Sequence, residues 1–220
     1  MKLREFLICT AMMSFTLASA NAITPTVPSP LITQDKVLES AYYDTLSILS
    51  TPNKCSDFFG GTSASVDIFD DLISKVRKGY FSTSIGIRMS GAVVDMFSMK
   101  TKRKYRLFDK VSINGNGPFY RKRNFLWEST VRGVGTFAPN TREARVLMLL
   151  HELGHVVKGE GGNWLLPDDG GDEALSTDNT RKIEAVCGSQ IKNLGKGDTV
   201  MPSASGKHAD EKRAVLNTKP

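Results

Sequence analysis

Residues 140–158, NTREARVLMLLHELGHVVK, are polar for one turn and then largely apolar, which predicts a helix. Asn140 stands at the position of a cap, Glu143 follows three residues later as in a capping box, and Gly159 predicts the stop. Upstream, residues 35–50 can form a first helix. Residues 65–78 predict a second, in which Val66, Phe69, Leu72, Ile73 and Val76 recur at helical spacing until Gly79. Between 80 and 137 the pattern changes to short runs rich in β-branched and aromatic residues, FSTSIGIRM, AVVDMFSM, YRLFDKVSI and FLWESTVRGV, separated by Gly, Lys or Asn-Gly. These predict a small sheet, with Asn114-Gly115-Asn116-Gly117-Pro118 as a turn between two strands; by analogy of fold alone, residues 125–134 are a candidate edge strand. A last helix is predicted from Thr177, where Ile183, Val186, Ile191 and Leu194 fall near helical spacing. Helices flanking a sheet in this order predict an α+β domain over residues 35–195.

The ends of the chain read differently. Residues 1–22, MKLREFLICTAMMSFTLASANA, place Lys2 and Arg4 before an apolar run and close on Ala20-Asn21-Ala22, the pattern of a cleaved signal peptide. The run is short for a bilayer span and is interrupted by Thr10, Ser14 and Thr16, so no stable membrane insertion is expected after cleavage. Residues 23–34 form a proline-bearing linker without charge, and residues 196–220 a loose tail. The protein is therefore expected to be exported, to the periplasm or beyond. Export changes the reading of the cysteines, because loss of the leader removes Cys9 and leaves Cys55 and Cys187, an even count in a compartment where disulfides persist. They are expected to pair. The formal charge is +6, and the densest basic run, residues 100–106 with Arg121, Lys122 and Arg123, reads as a solvated face. No nucleic-acid motif accompanies it, so no nucleic acid partner is expected.

The chemistry concentrates on the helix from residue 140. His151 and His155 lie four residues apart, so both imidazoles project from one face and can meet a single tetrahedral metal. Glu152 is turned by about 100° from His151, which places its carboxylate beside such a metal, where a general base belongs. The H-E-x-x-H string thus carries a mechanical reason for each fixed letter. His208, the remaining histidine, falls in the polar tail.

With these residues the chain resembles the zincin superfamily of zinc metallopeptidases over roughly residues 140–190. The resemblance implies a small mixed sheet over an active-site helix, one zinc ion per chain, Glu152 as catalytic base, and hydrolysis of a peptide or protein substrate by a monomer. After His155 the chain reads VVKGEGG, without the third histidine of metzincins. A third ligand is then expected from the acidic stretch LLPDDGGDEALSTDN, with Asp168, Asp169, Asp172 and Glu173 as candidates and Glu184 beyond it. Asp172-Glu173-Ala174-Leu175-Ser176 is similar to the glutamate-bearing string of thermolysin-like gluzincins and favours Glu173. A group of uncharacterised exported proteins, in which H-E-L-G-H is followed by an Asp-Gly loop, Ser, Asn-Thr and Cys, matches at Asp169-Gly170, Ser176, Asn179-Thr180 and Cys187 and favours Asp169. Asp168 and Asp172 are candidates for orienting a histidine. Tyr120, Asn163 and Arg121 are candidates for stabilising an oxyanion. The alternative to an enzyme is a catalytically inactive zincin-like module that holds zinc or binds envelope polymers.

Overall fold

Asp35 opens the described chain by capping a helix: its carboxylate accepts from the amides of Val37 and Leu38 at 3.1 Å each, so α1 runs Lys36–Leu49. The structure, a computed structural model, describes residues 34–82, 85–123, 131–159 and 161–196. The leader, nearly all of the linker and nearly all of the tail lie outside them, as do residues 124–130 of the candidate edge strand. The order from α1 continues α2 (Lys54–Phe58), α3 (Thr62–Ser74), β1 (Val76–Gly79), β2 (Ile87–Phe97), β3 (Lys104–Asn114), α4 (Arg142–Val156) and α5 (Glu173–Lys192). This is an α+β fold with a three-stranded sheet in the order β1-β3-β2. β1 is parallel to β3, from Val76 opposite Val111 to Gly79 opposite Asn114, and β2 is antiparallel to it, with a bulge between Ser90 and Val93. Among the described residues no helix is long and apolar enough to cross a membrane.

Several boundaries differ from the pattern. The second predicted helix stops at Ser74, and Val76–Gly79 becomes a strand, because a parallel ladder with β3 satisfies its backbone where further helix would leave the sheet edge bare. β2 passes unbroken through what the pattern divided into two runs. The Asn114 turn is no hairpin: the side chain of Asn114 accepts from the amides of Phe81 and Asn116 and donates to the carbonyl of Ile85, and the chain leaves the sheet. Of the last predicted strand, the described part carries only a bridge between Val134 and Phe137. α2 was not predicted, since five residues are too few to show a period, although Asn53 and Ser56 cap it reciprocally.

The core sits where α1, α3 and α4 pack together with α5 and the sheet, around Tyr42, Phe59, Phe69, Phe119, Leu147 and Ile183. α4 is at its centre and is buried at every position from Val146 to Val156, which is why its sequence is apolar all round. Its cap is Thr141, whose hydroxyl accepts from the amide of Ala144; Asn140 instead takes a left-handed conformation with φ 59°. Cys55 on α2 and Cys187 on α5 form a disulfide with a Cα separation of 4.7 Å, joining elements 132 residues apart. Replacing both by Ala is expected to cost about 2–5 kcal/mol in chemical denaturation, as for a long covalent loop. Equal stability of the variant and the parent would show that the bond restrains little.

Candidate metal centre

α4 ends just past His155 because Val157 turns to extended backbone and forms an antiparallel bridge with Tyr105 of β3. A narrow return follows, in which Lys158 bridges Trp164, the amide of Leu165 donates to the carbonyl of Val157, and that of Leu166 to the carbonyl of Gly154. Gly154 is required here: a Cβ would lie 2.6 Å from the Leu166 side chain, so the glycine of H-E-L-G-H lets the returning chain lie directly on the helix. Buried Asn179 of α5 holds the next residue by donating to the Pro167 carbonyl at 3.0 Å. The loop then turns over the histidines. Gly170 and Gly171, both at positive φ (47° and 103°), carry it into Asp172, which caps α5 through the amides of Ala174 and Leu175.

This path brings together His151, His155 and Asp169. The Nε2 atoms of the two histidines are 3.0 Å apart, and Asp169 Oδ2 lies 3.2 Å from His151 Nε2 and 3.5 Å from His155 Nε2. A tetrahedral ion with bonds of about 2.0–2.1 Å separates its ligands by about 3.3 Å, so the three atoms already stand at the edges of such a tetrahedron. Thr180 sets the tautomer. Its hydroxyl donates to the carbonyl of Ser176 at 2.8 Å and therefore accepts from His151 Nδ1–H at 3.0 Å, leaving the Nε2 lone pair directed at the cluster. Two imidazole nitrogens and a carboxylate oxygen converging at these distances suit a bound cation.

Electrostatics agree with this arrangement. Burial pushes the pKa of His151 below its ordinary value against the opposing pull of Asp169, so the imidazole is neutral and able to ligate. Burial would raise the Asp169 carboxyl, but its close approach to His151 and His155 outweighs burial and holds it well below the usual carboxylate range. Glu152, only 9% exposed and one residue from His151 on α4, is raised well above its ordinary value by burial first and then by the negative charge of Asp169.

The remaining candidates go elsewhere. Glu173 lies in the first turn of α5 with its side chain 67% exposed and pairs with Arg132, so it is not part of the cluster. Glu184 accepts from the amide and hydroxyl of Thr136. Asp168 and Asp172 orient no histidine: the first pairs with Arg106 and the second caps α5. α5 thus begins earlier than its pattern indicates, because Asp172 supplies the cap ahead of the first apolar residue. Of the oxyanion candidates, Tyr120 donates to Asp35 and Arg121 to the carbonyl of Gly115. Arg106, read as part of a solvated basic face, is 6% exposed. The orienting role of Thr180 was missed, since a hydroxyl on a separate helix has no spacing relation to His151. Thr180→Val is expected to weaken metal binding about 10- to 100-fold in a competition titration, the usual effect of removing a ligand's hydrogen-bond partner. Unchanged affinity would mean that the helix alone orients His151.

Comparison of the chain with family models, with curated proteins and with solved structures finds no match in any of the three, so the reading of this centre rests on its own residues.

Proposed function

We propose that this protein is an exported zinc-dependent peptidase of the zincin type, in which His151, His155 and Asp169 hold one zinc ion and Glu152 is the general base. The observation that carries the reading is a set of three converging donors, two of them on the helix that also buries Glu152 one residue from His151. Three protein ligands are the number a catalytic zinc takes, whereas a structural zinc takes four. When bound, zinc would supply Lewis acidity, acidifying water and polarising a carbonyl, and its charge would favour ionised Glu152.

The chain's own residues account for the rest. Thr180 holds His151 in the ligating tautomer, and Asp169 supplies the negative charge that a divalent ion requires. Glu152 sits one residue from a ligand on a rigid, fully packed helix, so its carboxylate can take a proton from water and return it to the departing amine. Burial of all three α4 residues keeps competing bulk water from the carboxylate. The disulfide joining Cys55 and Cys187 suits an oxidising compartment and agrees with the exported destination.

The test is metal analysis of the purified protein together with cleavage of unfolded protein and peptide substrates, before and after a chelator and with zinc restored. About one zinc per chain and activity that follows zinc are expected. Protein without metal would end the reading, and full zinc without any hydrolysis would leave a zinc-holding module.

A further inference from the structure

We propose that Arg106 is a positioning residue for the metal centre, a clamp that sets the separation between the segment carrying His155 and the segment carrying Asp169. The proposal rests on the metal-centre reading above. Arg106 projects from β3, where its guanidinium lies 5.3 Å from the ring centre of Phe108, yet its side-chain hydrogen bonds all fall within one residue of a ligand. Its Nε donates to the carbonyl of His155 itself at 2.7 Å. Its Nη1 and Nη2 reach the two carboxylate oxygens of Asp168, the residue before Asp169, with Nη1 at 3.1 Å from Oδ2. The guanidinium lies 4.3 Å from the ring centre of Trp164, in the return between the two segments.

Why an arginine is needed there follows from what the loop lacks. Pro167 is held through Asn179 and Asp172 by its own cap; of the four residues between them, Asp169 accepts at its carbonyl from the Asp172 amide at 2.5 Å, while Gly170 and Gly171 bring no side chain to fix the loop. The side chain of Asp168 is tied to Arg106 across this gap, and through it to the helix end at His155. The fork also satisfies one of the last carbonyls of α4, which the extended Val157 leaves outside the helical ladder. The burial is lopsided, with the Arg106 side chain 7% exposed and that of Asp168 62%. Burying a cation is costly unless its hydrogen bonds are completed, so Arg106 persists only while loop and helix end are both in place. A lysine, with a single point of charge, cannot span carboxylate and carbonyl together.

Zinc affinity, measured by competition with a chromophoric chelator, separates this clamp from a merely structural arginine, with cobalt absorption as a second readout of ligand geometry. The variants are Arg106→Met, Asp168→Asn, their combination, and Asp44→Asn as control. Asp44 pairs with Arg142 at the opposite end of α4 and touches neither segment. On charge alone Arg106→Met would tighten zinc by removing a nearby cation. The clamp predicts the reverse, an affinity about 10- to 100-fold weaker with an altered cobalt spectrum. Asp168→Asn, at a largely exposed position that folding tolerates, is expected to weaken zinc similarly, the double variant to be no weaker than the worse single one, and Asp44→Asn to lower the melting temperature while keeping affinity. Unchanged or tighter binding by Arg106→Met, or by Asp168→Asn if the former does not fold, would overturn the clamp, as would an equal loss in Asp44→Asn. If the parent protein takes up no zinc, the metal-centre reading falls and the clamp with it; zinc uptake by the parent with unaffected variants removes the clamp alone.

Discussion

Glu152→Gln is expected to keep about one zinc per chain while peptide hydrolysis falls by about 10²- to 10⁴-fold, the range for losing a general base. The amide preserves the shape and the position on α4 but cannot accept a proton from water. The same substitution acts differently on the metal-free protein. Burial and then the charge of Asp169 raise the Glu152 carboxyl well above its ordinary 4.5, so above that pH the folded chain keeps a proton that the unfolded chain has released. Stability must then fall as pH rises, by about 1.4 kcal/mol per unit, until the folded-state value is reached. Gln carries no such term. Metal-free Glu152→Gln should therefore gain on the parent between pH 4 and pH 7 in denaturant titrations, both values bracketing the ordinary pKa of 4.5. Parallel pH profiles would show that the carboxyl is not enclosed, and equal hydrolysis by the two proteins would remove Glu152 from the reaction.

His151→Ala and His155→Ala are each expected to abolish stoichiometric zinc and with it the stabilisation that zinc confers. For the parent protein, free zinc at about a thousand times the dissociation constant stabilises by about 4 kcal/mol. Each kcal/mol moves the melting temperature of a domain of this size by about 2–4 °C, so the zinc-induced shift should be plain in the parent and absent in the variants. Asp169→Ala should behave as they do, because its carboxylate stands within 3.5 Å of both imidazoles. Glu173→Ala should retain the full shift, since Glu173 pairs with Arg132 at the surface. Retained zinc in Asp169→Ala with loss in Glu173→Ala would mean that the loop closes differently when metal binds. Metal analysis alongside calorimetry distinguishes this from a general loss of fold.

Local periodicity sufficed wherever an element is long and its environment uniform. The helix from residue 140 was legible because a capped start, a long apolar run and a glycine stop agree, and the i, i+4 histidines with the intervening glutamate lie in one turn whose geometry is constant. The pairing of Cys55 with Cys187 followed from an even count in a chain expected to be exported, with no geometry needed. Boundaries were less legible because the decisive partners are distant. Val76 fits a helical stripe and a parallel strand equally well, and only the ladder to Val111 separates them. Asp169 and Glu173 are both carboxylates in the same acidic stretch, and no propensity ranks them. The tertiary structure does so through a bare Cα at Gly154, which lets Leu166 descend onto the helix, and a pair of glycines that turn Asp169 inward before Asp172 starts α5. Arg106 is the extreme case: within a basic run its letter reads as solvent-facing, and its burial is decided by a carbonyl 49 residues away and a carboxylate 62 residues away. By itself the sequence determined the helix, the spacing of His151, Glu152 and His155 on it, and the disulfide, because these rest on spacing within an element or on composition. Which acid joins the histidines, and what holds it there, was decided by packing between segments that no local pattern connects.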